Sequence, residues 1–130
     1  MARQYYGKRC EDSEQAAVIQ WAALNQTRHP ALKWLHHIPN GGKRNPTEAA
    51  RLKMQGVKAG VSDLFLPAAV GGYHGLYLEM KYGKNKPTDL QLEFMQDMNA
   101  QGYCCRVAYG AEQAVLYLQQ YLAGTIDTNV

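Results

Sequence analysis

The chain has 130 residues, of which 46% are hydrophobic and 19% charged, values that fit one compact domain and exclude a globally disordered chain. Its 14 lysines and arginines against 11 aspartates and glutamates give a net charge of +3, which permits an anionic partner without requiring one. Because there is no apolar run of about eighteen residues and no CxxC pair, the sequence predicts neither a membrane span nor a cysteine-rich zinc site.

The first predicted element is a helix over residues 13–24, where apolar side chains recur at helical spacing. Asp12 or Ser13 is a suitable N-cap for it. Glu14 falls in the first turn, where a carboxylate interacts well with the helix dipole. The residues alone therefore predict a structural role for Glu14.

A strand and a short helix come next. Residues 32–38 (LKWLHHI) follow Pro30 and predict a strand. Asn45 then fits as the N-cap of a second helix, with Pro46 as its first residue and Gly56 at its end.

A β-hairpin is predicted in the middle of the chain. Residues 61–66 (VSDLFL) and 76–80 (LYLEM) are largely apolar and suit buried strands, and the glycine-rich residues 70–75 lie between them. A connection of this length between two such strands is typical of an antiparallel pair.

The last third of the chain predicts a helix, a strand and a final helix. Thr88 and Gln91 have the spacing of a capping box at the start of the third helix. A strand over 103–109 and a helix over 111–122 follow. The order α-β-α-β-β-α-β-α predicts an α/β fold, a mixed sheet flanked by helices, in one domain with an ordered core over about 11–123.

Three charged residues interrupt the apolar strands of the predicted hairpin: Asp63, Glu79 and Lys81. Residues two apart in a strand face the same way, so Glu79 and Lys81 project together, and pairing of the strands can bring Asp63 to them. Two such carboxylates are costly unless a cation offsets their repulsion. Carboxylate oxygens suit Mg²⁺ or Mn²⁺, which can bind a scissile phosphate and activate water. The lysine would orient that water or stabilise the developing charge.

The same three residues also fit a simpler interpretation, which the pattern alone leaves open. An aspartate near a strand start can be a turn residue, and Glu-x-Lys at a strand end can be an exposed ion pair. Basic residues near the predicted site favour contact with phosphates, although they too could lie in exposed turns. They are Lys43 and Arg44 after a Gly-Gly pair, and Lys84 and Lys86 after the second strand.

The spacing resembles that of the PD-(D/E)xK nuclease superfamily. Ser62 and Asp63 stand where the name has Pro-Asp, and Glu79, Met80 and Lys81 form the ExK element. The position before the aspartate tolerates substitution, because the aspartate is the residue that binds metal.

Longer stretches resemble one family in that superfamily, the VRR-NUC or virus-type replication-repair nuclease domain. They are residues 56–67 (GVKAGVSDLFLP) and 76–103 (LYLEMKYGKNKPTDLQLEFMQDMNAQGY), together with Glu14 and residues 37–45 (HIPNGGKRN). The resemblance implies a restriction-endonuclease-like fold and a metal-dependent DNA endonuclease using Mg²⁺ or Mn²⁺. The implied metal ligands are Asp63, Glu79 and the backbone carbonyl of Met80. The implied catalytic set is Asp63, Glu79, Lys81, Glu14 and Gln91.

The resemblance also implies a partner and a setting. Branched or flapped DNA, as for a Holliday-junction resolvase, is the expected substrate, and the protein is expected to act as a homodimer in the cytoplasm of a bacterium or phage-infected cell. Symmetric junction cleavage needs two active sites, and Tyr117 and Tyr121 of the last helix are candidate contacts between subunits. Two rival hypotheses keep the same fold: a catalytically silent DNA-binding module, and a subunit-interaction domain.

Overall fold

The computed structural model describes residues 8–40 and 45–128. Its elements in chain order are α1 (Glu11–Leu24), a 3₁₀ helix (Pro30–Trp34), β1 (His36–His37), α2 (Pro46–Met54), β2 (Leu64–Leu66), β3 (Leu76–Lys81), α3 (Asp89–Ala100), β4 (Cys104–Tyr109) and α4 (Ala111–Leu122). The predicted α/β class and element order are confirmed, with the 3₁₀ helix as an addition. No helix within the described ranges is long and apolar enough to cross a membrane.

The four strands form one mixed sheet in the order β1-β2-β3-β4. The β1–β2 and β2–β3 pairs are antiparallel, and β4 runs parallel to β3. Leu64 lies opposite Leu78, so the predicted hairpin of β2 and β3 is confirmed. Because β3 has a neighbour on each side, its backbone is held along both edges.

The main core lies between one face of the sheet and helices α1 and α4. Strand residues alternate between faces, so Leu76, Leu78 and Met80 point together into this core and are fully buried. On the opposite face, Tyr77 stacks on Phe65 with ring centroids 4.4 Å apart. The same ring meets Phe94 of α3 edge-on at 5.1 Å. The alternation therefore places Glu79 and Lys81 on the α3 side of the sheet.

The predicted strand over residues 32–38 is wrong for most of its length. Residues Pro30–Trp34 form a 3₁₀ helix, in which the Leu32 N–H donates to the His29 carbonyl at 3.0 Å, and only His36–His37 pair with β2. The physical reason is Pro30, whose ring fixes φ near the helical value and favours the first turn of a helix.

The second predicted strand begins three residues later than its apolar pattern suggests. It was expected from residue 61, yet β2 starts at Leu64. The backbone N–H of Met80 donates to the Asp63 carboxylate at 2.7 Å, so a side chain replaces the backbone partner that a continuing strand would provide. Pairing of the two strands ends where Asp63 turns toward β3.

The predicted local caps are found at the starts of α2 and α3, while the N-cap of α1 differs from its prediction. Asn45 caps α2 by accepting from the Glu48 N–H, and Thr88 and Gln91 form the predicted capping box of α3. The N-cap of α1 is Cys10 rather than Asp12 or Ser13. The Ser13 hydroxyl lies one turn inside and accepts from the Cys10 N–H at 2.9 Å.

The last helix contributes its tyrosines to the core of the protein itself. Tyr121 is 1% exposed, and its hydroxyl donates to the Ala68 carbonyl. Tyr117 is partly buried against the same core. The expectation that Tyr121 contacts a second subunit is therefore wrong, because its ring is already enclosed within one chain.

Candidate functional site

Two carboxylates meet where β2 begins and β3 ends. One position beyond the pair Leu64–Leu78, the antiparallel register carries Asp63 alongside Glu79. The 2.7 Å hydrogen bond from the Met80 N–H holds the Asp63 side chain against β3. The structure thus brings together the two acidic residues that the hairpin pattern predicts to meet.

Glu79 is buried in a setting that opposes its ionisation. Its side chain is almost inaccessible to water, and its Oε1 has no hydrogen-bond partner among the described residues. Burial, followed by the charge of Asp63 and a hydrogen bond with it, raises the pKa of Glu79 to about 9, although Lys81 acts in the opposite direction. A metal-free site therefore favours a proton on this carboxyl group.

Lys81 supplies the positive charge of the cluster. It follows Glu79 on the same face of β3, its side chain is also buried, and its Nζ lies 3.6 Å from Oε2 of Glu79. When both carboxylates are ionised, one lysine leaves the three residues with a net negative charge. The cluster can therefore accept a further cation or a proton, and Oε1 of Glu79, which has no partner among the described residues, is an oxygen available to either.

The carboxylates open onto a cleft of about 890 Å³. Asp63 and Glu79 line it together with Gln91 from α3, while Lys81 is not part of the lining. Because the cleft is open to solvent, a bulky ligand can reach the two acids. The described residues that complete this lining are Lys8, Arg9, Cys10, Glu11, Asp12, Asn40, Tyr82 and Asn85.

Glu14, which the sequence resemblance places in the catalytic set, has a distinct position. It is fully buried, and its carboxylate accepts a hydrogen bond from the Ala111 N–H at 3.1 Å, at the start of α4. It also pairs with Arg9. Arg9 donates through Nε at 3.2 Å and through Nη2 at 2.7 Å. Glu14 is not among the residues lining the cleft, and it is connected to that lining through Arg9.

Hydrogen bonds to neighbouring residues fix which polar groups of Gln91 and Met80 remain available at the site. The Oε1 of Gln91 accepts from the Thr88 N–H at 2.9 Å in the capping box, which leaves the amide NH₂ group as its remaining polar end. The side chain of Met80 is buried in the main core. Its main chain runs between Glu79 and Lys81 and is tied to Asp63, a position from which a backbone carbonyl could contribute to a metal site.

Two of the four predicted DNA-binding residues lie among the described residues. Lys84 and Lys86 are exposed on either side of Asn85, which lines the cleft and donates to Oε2 of Glu11 at 2.7 Å. Both lysines are therefore sequence neighbours of a cleft residue, although neither lines the cleft itself. The predictions for Lys43 and Arg44 concern positions outside the described residues.

Sequence reasoning missed the contribution of the residues just before α1 and of the first two residues of this helix. Lys8, Arg9, Glu11 and Asp12 all line the cleft, although they are more than fifty residues from Asp63 in the chain. The adjacent basic pair directly before a helix start was the available signal. A pair of this kind identifies a charged surface, but only the packing of α1 beside the sheet brings it to the carboxylates.

The donor set fits a hard divalent cation better than a soft one. Asp63 and Glu79 offer carboxylate oxygens, which Mg²⁺ and Mn²⁺ prefer. No group of three or more His, Cys, Asp or Glu residues that could hold a metal occurs within residues 8–40 and 45–128. The protein therefore supplies two acidic ligands, and other oxygen donors would complete the coordination.

Comparison with known proteins identifies the class and then the family. A solved structure described as a VRR_NUC domain protein matches with a TM-score of 0.76 and 33% identity, over 91% of this chain and 92% of that one. The fold is thus of the nuclease type. The family model of the VRR-NUC domain matches residues 8–112, and the chain belongs to this family, as the sequence resemblance predicted. No curated protein sequence matches it.

Proposed function

We propose that the protein is a Mg²⁺- or Mn²⁺-dependent DNA endonuclease that hydrolyses phosphodiester bonds in branched or flapped DNA. The observation that carries the proposal is the Asp63–Glu79 pair on the wall of an open cleft, with Lys81 beside it. Membership of a nuclease-type family supports the same reaction class.

The carboxylate pair requires a compensating charge. Burial and the charge of Asp63 raise the pKa of Glu79, so ionisation of both carboxyl groups is disfavoured without a further compensating charge. Asp63, Glu79 and the backbone carbonyl of Met80 would hold a divalent cation in place of the proton. When bound, such an ion supplies Lewis acidity toward the phosphate and lowers the pKa of water.

The residues of the chain can perform the remaining tasks of hydrolysis. A water oxygen bonds to phosphorus, the bond from phosphorus to the leaving oxygen breaks, and the proton from water passes to that oxygen or to solvent. The Lys81 ammonium stabilises the negative charge that develops on the phosphate. Gln91, whose carbonyl oxygen is occupied by Thr88, faces the cleft with a donor that can orient a phosphate oxygen or the water.

A cleavage panel tests this proposal. Labelled duplex, flap and four-way junction DNA are incubated with Mg²⁺, with Mn²⁺ and with a chelator, using the wild type, Glu79→Ala and Lys81→Ala. We expect metal-dependent cutting of branched DNA that each substitution reduces by roughly a hundredfold or more, a typical loss for charge-stabilising groups. The control is Glu93→Ala, at an exposed glutamate on α3 that does not line the cleft.

Each rival function has its own outcome in the same panel. Undiminished cutting by both variants rejects the site. Tight DNA binding without cleavage at any metal concentration favours a silent binding module. No DNA binding at low salt, where phosphate contacts are strongest, favours a subunit-interaction domain.

The proposal includes a homodimer, because symmetric cleavage of a four-way junction needs two active sites. Light scattering of the free protein and of its junction complex measures the assembly directly. Junction cleavage by a protein that stays monomeric in both measurements contradicts this part of the proposal and leaves the chemistry in place.

A further inference from the structure

Arg9 lies in the same cleft as the two carboxylates. Its side chain is 49% exposed and lines the cleft with Asp63 and Glu79. A half-exposed arginine normally samples many rotamers. This one is held on two sides, which is unusual for a side chain that does not belong to the core.

The first restraint is a paired contact with a buried carboxylate. Nε and Nη2 of Arg9 donate to the two oxygens of Glu14 at 3.2 and 2.7 Å. Glu14 is itself fixed, because it is fully buried and accepts from the Ala111 N–H at the start of α4. The dipole of α4 also favours a carboxylate at its N-terminus, so the Glu14 side chain that holds Arg9 is itself restrained.

The second restraint is aromatic. Cζ of Arg9 lies 5.3 Å from the ring centroid of Tyr82, the residue that follows the proposed catalytic lysine. A guanidinium over a tyrosine ring gains a favourable cation–π interaction. Glu14 and Tyr82 together set the plane of the guanidinium relative to the end of β3.

The guanidinium keeps donors for a ligand. Arginine has five N–H groups, and the contacts with Glu14 use Nε and one N–H of Nη2. Nη1 donates to none of the residues that the structure describes. The further contact to Glu112 is 3.4 Å long and lies at the exposed surface, where water weakens it. The free edge can therefore bind a planar or tetrahedral anion.

We propose that Arg9 binds a backbone phosphate of the DNA strand in this cleft and that Glu14 is its positioning residue. The inference rests on the proposed nuclease function and goes beyond it by assigning these two roles. A guanidinium whose geometry is fixed in advance gives up less conformational entropy on binding a phosphate than a free lysine does. Glu14 then acts on DNA through Arg9.

The salt dependence of DNA binding reports the number of phosphate contacts, and a chelator prevents metal-dependent cleavage during the measurement. Binding of labelled branched DNA is measured by fluorescence anisotropy in chelator over a series of KCl concentrations. We expect Arg9→Ala to lower affinity about tenfold at fixed salt, the value of one charge-assisted hydrogen bond. The slope of log affinity against log salt should shrink by about 0.9, corresponding to one phosphate. Arg28→Ala is the matched control, an exposed arginine beyond the other end of α1.

Two further variants separate positioning from simple charge. Arg9→Lys keeps the charge but loses the planar guanidinium and its fixed donors. The salt slope should therefore stay near that of the wild type while affinity falls. Glu14→Gln should weaken binding in the wild-type background and add nothing in the Arg9→Ala background. Circular dichroism confirms that each variant is folded at the assay temperature.

The outcomes distinguish this inference from the proposed function. An Arg9→Ala slope equal to that of the wild type overturns the phosphate contact, even if the wild type cuts DNA with Mg²⁺. An equal effect of Glu14→Gln in both backgrounds overturns the positioning role. A wild type that binds no DNA at low salt overturns the proposed function and this inference together.

Discussion

Replacing Glu79 with glutamine removes an ionisable group from a buried position where its charged form is disfavoured by burial and by Asp63. The glutamine has the shape of the protonated acid and carries no charge at any pH. We expect Glu79→Gln to be more stable than the wild type in the absence of metal, and to be inactive. A substitution that stabilises the protein and abolishes activity would show that the buried carboxylate lowers the free energy of unfolding.

The size of the effect follows from the pKa of Glu79. Burial and Asp63 raise it from the ordinary value of 4.5 to about 9 in the folded protein. Between these values the folded state holds the proton while the unfolded chain releases it, so wild-type stability falls as pH rises, by up to about 1.4 kcal/mol per pH unit. At pH 7, roughly 2.5 pH units above the ordinary value, we expect the variant to be more stable by about 3 kcal/mol, which corresponds to about 11 °C in Tm for a chain of this length.

The assay is chemical and thermal unfolding of both proteins from pH 4.5 to pH 9 with a chelator present. The difference between the two proteins is the useful quantity, because titrating groups that do not contact Glu79 contribute equally to each. It should be near zero at pH 4.5 and grow with pH. Glu93→Gln, at an exposed position on α3, controls for the change of residue type.

Stabilisation by a bound divalent cation gives a second, independent test of the Asp63–Glu79 pair. A divalent cation at ten times its Kd should stabilise the wild type by about 1.4 kcal/mol, since it binds only the folded state. Glu79→Gln should gain much less, because one of its two acidic ligands is gone. A variant that is no more stable than the wild type at pH 7, or whose advantage does not grow with pH, would refute the electrostatic reasoning.

Three further substitutions probe the support of the site, each measured by denaturant unfolding. Ser62→Ala removes a buried hydroxyl without a hydrogen-bond partner among the described residues, so unfolding free energy should rise by up to about 1 kcal/mol; a clear loss would mean that the hydroxyl is satisfied. Glu14→Ala should cost about 2–3 kcal/mol because the Ala111 N–H loses its partner, and a neutral result would contradict its role at α4. Gly60→Ala should cost about 2 kcal/mol or more, since φ is +92° and the added Cβ would lie 2.8 Å from the Leu90 carbonyl oxygen; unchanged stability would show that this segment can move.

Some features could be predicted because their causes are local. The starts of α2 and α3 depend on a capping side chain and a backbone N–H three residues away, as at Asn45 and Thr88. The meeting of Asp63 with Glu79 needed only the two-residue period of strands and the pairing of neighbours along the chain. The family followed from the same stretches.

Other features could not be predicted because local preferences were balanced. Residues 30–38 combine an apolar run, which fits a strand, with a proline, which favours a helical turn, and the structure divides them between the two. Tyr121 has a polar end and an apolar ring, so its place in the helix pattern did not reveal that Ala68 receives its hydroxyl. Burial in these cases depends on neighbours far away in the chain.

The sequence by itself determined the α/β order, the hairpin and the three charged residues that define the candidate centre, since periodicity and spacing act over a few residues. Only the tertiary structure decided which groups surround that centre. Packing of α1 beside the sheet brings Arg9 into the cleft, and packing of α4 against α1 joins Glu14 to Ala111 across 97 positions of the chain. Contacts of that separation arise from the burial of whole helix faces, which no local pattern encodes.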